Sequence, residues 1–389
     1  MTNQKVALKK DWVSNFWLVG KPNITDNTFT LDKRSEKSSW VGNTMNLGIN
    51  CGEICGTVFT RMFGGYSMDN PFPIKVHGKD VNNRDDFDTR FEIAWEDRLD
   101  ESVLDEVGDL CFIKVGIEKT TEGNIFTKRF LSEYDAIKYI KEHLTSDMAI
   151  SVRGRLNYSY YNDNLKIDKN ITSIYVTDAE PSDFKATFTQ SILIDKDSTS
   201  MKEYDKDKNV VYVNGKVLDY MKEYNGVEVK GQFPYNAKFE FAMPENTAIH
   251  PVTMDKVFKV KKGITQITFE GNFIENGATI QPTWDDVPDD IKGLVDIGLY
   301  SEEDALKKCS TNGSRERRMV FTRPMIKMVG EEGAQQPVIQ KFEERYTEDD
   351  LLLDCMIGGN NNEVMPWEEE TGTSDVESLN QPDWLAAMK

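Results

Sequence analysis

Residues 149–176 read A-I-S-V-R-G-R-L-N-Y-S-Y-Y-N-D-N-L-K-I-D-K-N-I-T-S-I-Y-V. The pattern is that of a β-hairpin. Side chains alternate across a strand, so Val152, Gly154, Leu156 and Tyr158 share one face, while Arg153, Arg155, Asn157 and Ser159 share the other. The turn falls at Asn162-Asp163-Asn164, residue types that tolerate positive φ. The return arm is anchored by Ile167, Ile171 and Ile174. Just upstream, residues 135–144 place Ala136, Ile137, Ile140 and Leu144 at helical spacing, which predicts a short amphipathic helix.

A β-rich segment, one short helix and a two-strand return follow each other in the order of an OB-fold. The hairpin also resembles single-stranded DNA-binding proteins of bacteriophage type, where V-x-G-x-L with basic residues at the x positions leads into an aromatic-rich turn. Here those residues are Val152-Arg153-Gly154-Arg155-Leu156, followed by Tyr158, Tyr160 and Tyr161. The resemblance implies a surface on which bases stack on aromatic rings while Arg and Lys follow the phosphates. Tyr158 and Tyr160 share a face with Leu156 and are equally core candidates. Arg153, Arg155 and Tyr161 are free of that ambiguity.

Upstream, residues 12–32, 40–51 and 56–66 read as strands. In the last of these, Phe59, Arg61 and Phe63 alternate with Val58, Thr60 and Met62. An aromatic–basic–aromatic face is either a stacking platform or core aromatics with a snorkelling arginine at the rim. Residues 69–105 are polar and irregular, and two strand-like runs, 91–95 and 108–119, precede the helix. This insertion leaves the strand order open.

A second β-rich block follows a linker at 177–184. Its strands are expected at 186–195, 209–220, 227–243 and 263–276. The last carries I-x-F-x-G-x-F, an echo of V-x-G-x-L, but no clear helix lies inside the block. Residues 289–295 and 301–308 look like short helices. Seven basic residues and one acid fall within 305–328, including Arg315, Arg317 and Arg318. The expected organisation is therefore mainly β. An OB-fold single-stranded DNA-binding domain spans 1–180, and a second OB-like β-barrel spans 185–285. Short helices and a basic hairpin occupy 286–329, and a disordered acidic C-terminal tail runs over 330–389.

The net charge of −19 argues at first against a nucleic-acid partner, but residues 331–389 hold fifteen acids against three bases. The remaining 330 residues carry 44 basic and 51 acidic groups, which leaves room for a local positive surface. The tail ends in Trp384, Leu385 and Met388, an apolar tip behind an acidic run. It is either a ligand for replication or recombination proteins, as in the resembling family, or a solubilising extension.

Five scattered cysteines, with Cys51 and Cys55 lacking a second pair, read as buried free thiols rather than a zinc site. No apolar run approaches the ~18 residues of a membrane span. Met1 to Lys10 lacks the apolar core of a signal peptide. These features lead us to expect a protein of the reducing cytoplasm, or host cytoplasm if viral, that can form homo-oligomers. The P-loop, dinucleotide, zinc-protease and nucleophile-elbow motifs are all absent, so neither an enzyme nor a cofactor or metal is expected. The leading expectation is a single-stranded DNA-binding protein of replication or recombination. The alternative is a virion or tail-assembly component built on OB-like barrels.

Overall fold

The computed structural model describes residues 6–9, 11–162, 164–275, 284, 287, 289–296, 301–302, 317–330 and 334–357. The strands of the first half are β1 (Ser14–Asn23), β2 (Phe29–Arg34), β3 (Trp40–Asn50) and β4 (Thr57–Ser67), then β5 (Ile74–Lys79), β6 (Asp85–Ile93), β7 (Ile113–Lys119) and β8 (Ile125–Phe130). Helix α1 (Glu133–His143) follows, and then β9 (Ile150–Tyr161) and β10 (Asn164–Val176). The second half holds β11 (Lys185–Ile194), β12 (Thr199–Asp205), β13 (Val210–Tyr224), β14 (Val227–Ala242) and β15 (Ile264–Ile274). It ends with helix α2 (Asp289–Asp296), β16 (Arg318–Pro324), β17 (Ile326–Val329), β18 (Gln336–Ile339) and β19 (Lys341–Tyr346).

Strand pairing resolves the order that the sequence left open. β1 pairs with β3, β3 with β4, β4 with β10, β10 with β9, and β9 with β1, which closes a five-stranded ring. The β4–β10 contact is parallel and the other four are antiparallel. Helix α1 lies between the third and fourth ring strands, so the ring is an OB barrel. Ser132 caps α1, its hydroxyl accepting from the Tyr134 N–H, and Ile137 and Ile140 on its apolar face are buried. The hairpin forms as expected, with Asn162 at φ +47 in its turn. The insertion 68–132 contributes the β5–β6 hairpin and the β7–β8 pair, and β7 extends the sheet alongside β10.

The second block repeats this scheme. β11 pairs with β13, β13 with β14, β14 with β16, β16 with β15, and β15 with β11, again with one parallel contact, β14–β16. Two expectations are corrected here. The closing strand β16 comes from the segment read as a separate basic hairpin. A helical run also sits between β14 and β15, over residues 247–258. That run changes between 3-10, α and π turns, so it has no single helical period to read from sequence.

The two barrels meet where β1 and β11 pair antiparallel, with Phe16 opposite Phe188. One hydrophobic core runs through both. Phe16 is paired across to Gly154 and Phe188 to Gly271. A Cβ at either glycine would come under 3.0 Å from that phenylalanine ring and from the carbonyl of Asn170 or Val320. The glycine of V-x-G-x-L and that of I-x-F-x-G-x-F thus do the same job on the two sides of an approximate twofold axis: each makes room for a core ring. Cys51 and Cys55 are buried free thiols.

Candidate nucleic-acid interface

Outward-facing side chains on the first barrel form a continuous polar surface. On β4, Phe59, Arg61 and Phe63 point out while Val58, Thr60 and Met62 are buried. Their neighbours on β3 are small: Gly48, Asn46 and Thr44. The Phe59 ring lies over Gly48 and is 38% exposed. Arg61 stands between the two rings, its guanidinium 5.8 Å from the Phe63 centroid. Burial pulls the Arg61 pKa below its ordinary value, and the charge of Asp168 opposes that shift. Phe59, Arg61, Lys33, Lys166, Asp168 and Arg317 line a cavity of 700 Å³. Sequence positions more than 250 residues apart meet there.

Arg153 and Arg155 project from β9 into a larger open groove of 1280 Å³ that crosses the seam between the barrels. Both are exposed, and among the described residues neither has a carboxylate partner. Trp17 on β1 is the aromatic centre of this groove. Its indole N–H donates to Ser151 Oγ at 2.9 Å. The Arg153 guanidinium lies 4.5 Å from its ring and Lys185 Nζ 3.3 Å, cations supplied by the strands on either side of β1.

The two cavities are joined by a row of neighbours across the sheet. Arg61 is opposite Asn170, Asn170 opposite Arg155, and Arg155 opposite Asn15. The row continues through Thr189, Glu270 and Arg323. At ~4.8 Å per strand it spans roughly 29 Å of surface. Its charge is uneven. Arg323 donates to Glu270 at 2.5 Å, so the end on the second barrel is neutralised. The first barrel keeps Arg153 and Arg155, and β11 adds Lys185 to them at the seam.

Several expected site residues stand elsewhere. Tyr158 is 2% exposed, and its hydroxyl donates to Gln190 Oε1 at 3.1 Å; burial pushes its pKa up. A ring enclosed in the core cannot stack on a base. Tyr160 packs against Phe233 and Tyr235 of the second barrel, and its hydroxyl accepts from the Asn236 N–H. It belongs to the seam. Arg318 does line the 700 Å³ cavity beside Arg317, but its guanidinium donates to Glu240 Oε2 at 2.6 Å and straps β16 to β14. Tyr161 is half-buried and lines neither cavity, and Phe63 flanks its cavity without lining it. Arg315 and the tip residues Trp384, Leu385 and Met388 lie outside the described residues. Sequence reading missed Trp17, Lys166, Asn170 and Lys185. For Trp17 the signal was present: Asn15 and Trp17 alternate with the buried Phe16 and Leu18.

A family model described as YorF matches residues 113–267, less than half of the chain. No curated protein matches it. Among solved structures it is similar to a deletion mutant of the single-stranded DNA binding protein from Thermus aquaticus. The two are 8% identical, with 68% of this chain and 88% of that one covered and a TM-score of 0.26. At that TM-score the likeness carries no argument, and the barrel assignment rests on the strand pairing alone.

Proposed function

We propose that this chain binds single-stranded DNA across the outside of its first barrel, from the β3–β4 platform over β10 and β9 to the seam at β1. The reading is carried by one observation: Arg61, Asn170 and Arg155 are adjacent in register and link an exposed phenylalanine to a groove where Arg153, Arg155 and Lys185 have no carboxylate partner among the described residues. Bases would stack on Phe59, and the guanidiniums of Arg153 and Arg155 would contact phosphates or lie flat on bases. This is a binding role without a catalytic step. Following the family resemblance of its hairpin, we assign it to covering unpaired strands during replication or recombination, as a bacteriophage-type protein does. Replication partners would be met through the C-terminal tip.

The test is a titration of labelled single-stranded and duplex oligonucleotides at low and moderate salt. The proposal expects preference for the single strand and affinity that falls with salt, with a slope near −0.7 for each phosphate neutralised. Arg153→Ala with Arg155→Ala should weaken binding and flatten that slope. Absence of binding to either form at low salt would reject the proposal.

A further inference from the structure

The lip of the large groove carries an apolar side chain that the strand path does not use. Leu110 is 63% exposed and lines the groove from the insertion. It sits in the short 3-10 turn Asp109–Cys111, just ahead of β7. Three strands brace that turn. The Gly108 N–H donates to His77 O on β5 at 2.8 Å, and the Leu110 N–H donates to Asp85 Oδ1 on β6 at 2.9 Å. Asp109 pairs with Lys114 on β7. Phe112, which follows the turn, is buried in the insertion's own core with Val76, Ile93, Leu104 and Val107. A Cβ at Gly108 would come under 3.0 Å from both the His77 ring and Asp85 Oδ1, so the turn has no slack on that side.

The turn stands at the end of a second row of register neighbours. Lys114 is opposite Ser173, Ser173 opposite Arg153, and Arg153 opposite Trp17. These three steps cover roughly 14 Å at ~4.8 Å per strand. A nucleic-acid strand held at Trp17 and Arg153 that continues along this row runs into Leu110. The surroundings also change sign there. The insertion, residues 68–132, holds fifteen acids against nine bases. Glu133, at the start of α1, lines the groove with no cation partner among the described residues. One phosphate backbone is attracted to the cations of the groove, and a second beside it is repelled by the insertion.

We propose that Leu110 is a wedge, and that the groove takes a single strand at the point where it leaves a duplex. The inference rests on the strand-binding reading and adds the class of ligand. One strand follows Trp17, Arg153 and Arg155. Leu110 enters beside the last base pair, and the acidic insertion turns the complementary strand away. Apolar side chains, leucine among them, part stacked bases when they are inserted between base steps. The three braces matter because a loose turn would fold the side chain back onto the protein. Phe87 nearby is also exposed, but its ring leans on His77 and lines no part of the groove, so it is not part of the wedge.

The experiment titrates the full chain into duplexes with a single-stranded tail of either polarity. A fluorescent adenine analogue, whose emission rises on unstacking, occupies the base pair next to the tail. Affinity for the plain single strand is measured in parallel. The wild-type chain should raise the emission at saturation with one of the two tails. Leu110→Ala should bind the plain single strand as the wild type does and lose most of that rise, and Leu110→Phe should keep it. Equal rises for the wild type and Leu110→Ala would mean that the strand surface alone traps a fraying end, and would overturn the wedge. Saturation of the tailed duplex by the wild type with no rise would overturn it as well, with the strand-binding reading left standing. No binding to the plain single strand would reject both.

Discussion

The direction in which a side chain leaves its strand separates the residues that can meet a ligand from those that cannot. Arg153 and Arg155 alternate with Val152, Gly154 and Leu156, and the alternation holds along β9 as far as Tyr158. The same parity sends Tyr158 inward, as its shared face with Leu156 foretold. Phe59 and Tyr158 make a matched pair for testing this. Phe59→Ala should weaken strand binding by about 1–3 kcal/mol, the contribution of one stacked base, and leave the melting temperature nearly unchanged. Tyr158→Phe should leave binding unchanged and cost about 1 kcal/mol of stability, because Gln190 Oε1 keeps its bond from Ser14 Oγ. Binding titrations and denaturant melts of the two variants check both outcomes. Parity cannot tell whether a cation already has a partner. Arg318 and Arg155 look alike in sequence, but only Arg318 meets a glutamate, brought to it from a strand some eighty residues away.

Elements that repeat a local pattern were legible, and those joined by distant pairing were not. The hairpin, α1 and most strands follow from alternation and helical spacing. The closure of the second barrel depends on β16 finding β14 and β15 across a long excursion, which no local period encodes. Contacts at Glu275 hold that end of the molecule to the first barrel. Lys169 on β10 meets Glu275, just past β15, at 2.6 Å, and both are largely buried. Glu275 also accepts from the Phe59 N–H. Removing one partner of a buried pair strands the other charge, so Glu275→Ala should destabilise by about 3–5 kcal/mol. Gly154→Ala and Gly271→Ala should each cost about 1–3 kcal/mol through forced repacking around Phe16 or Phe188. Similar losses for the two glycines in denaturant melts are expected from their equivalent places, and a tolerated alanine at either would contradict that packing.

For the whole molecule, net charge is a poor guide to its partner. Acidic residues dominate the total, but twelve of the nineteen excess negative charges fall within residues 331–389, and Arg153 and Arg155 of the first barrel have no carboxylate partner among the described residues. The twofold likeness of the barrels makes the asymmetry informative. Arg153 and Arg155 flank Gly154, and the corresponding neighbours of Gly271 are Glu270 and Asn272. The cationic surface therefore lies mainly on one barrel and ends at the seam, where β11 adds Lys185. The most direct test of this arrangement is the salt dependence of single-stranded oligonucleotide affinity for the wild-type chain and for Arg61→Ala with Arg155→Ala. With both guanidiniums on one strand path, the slope of log affinity against log salt should become shallower by about 1.4, two phosphates at ~0.7 each. An unchanged slope in a folded double variant would place any bound strand off this row and contradict the account.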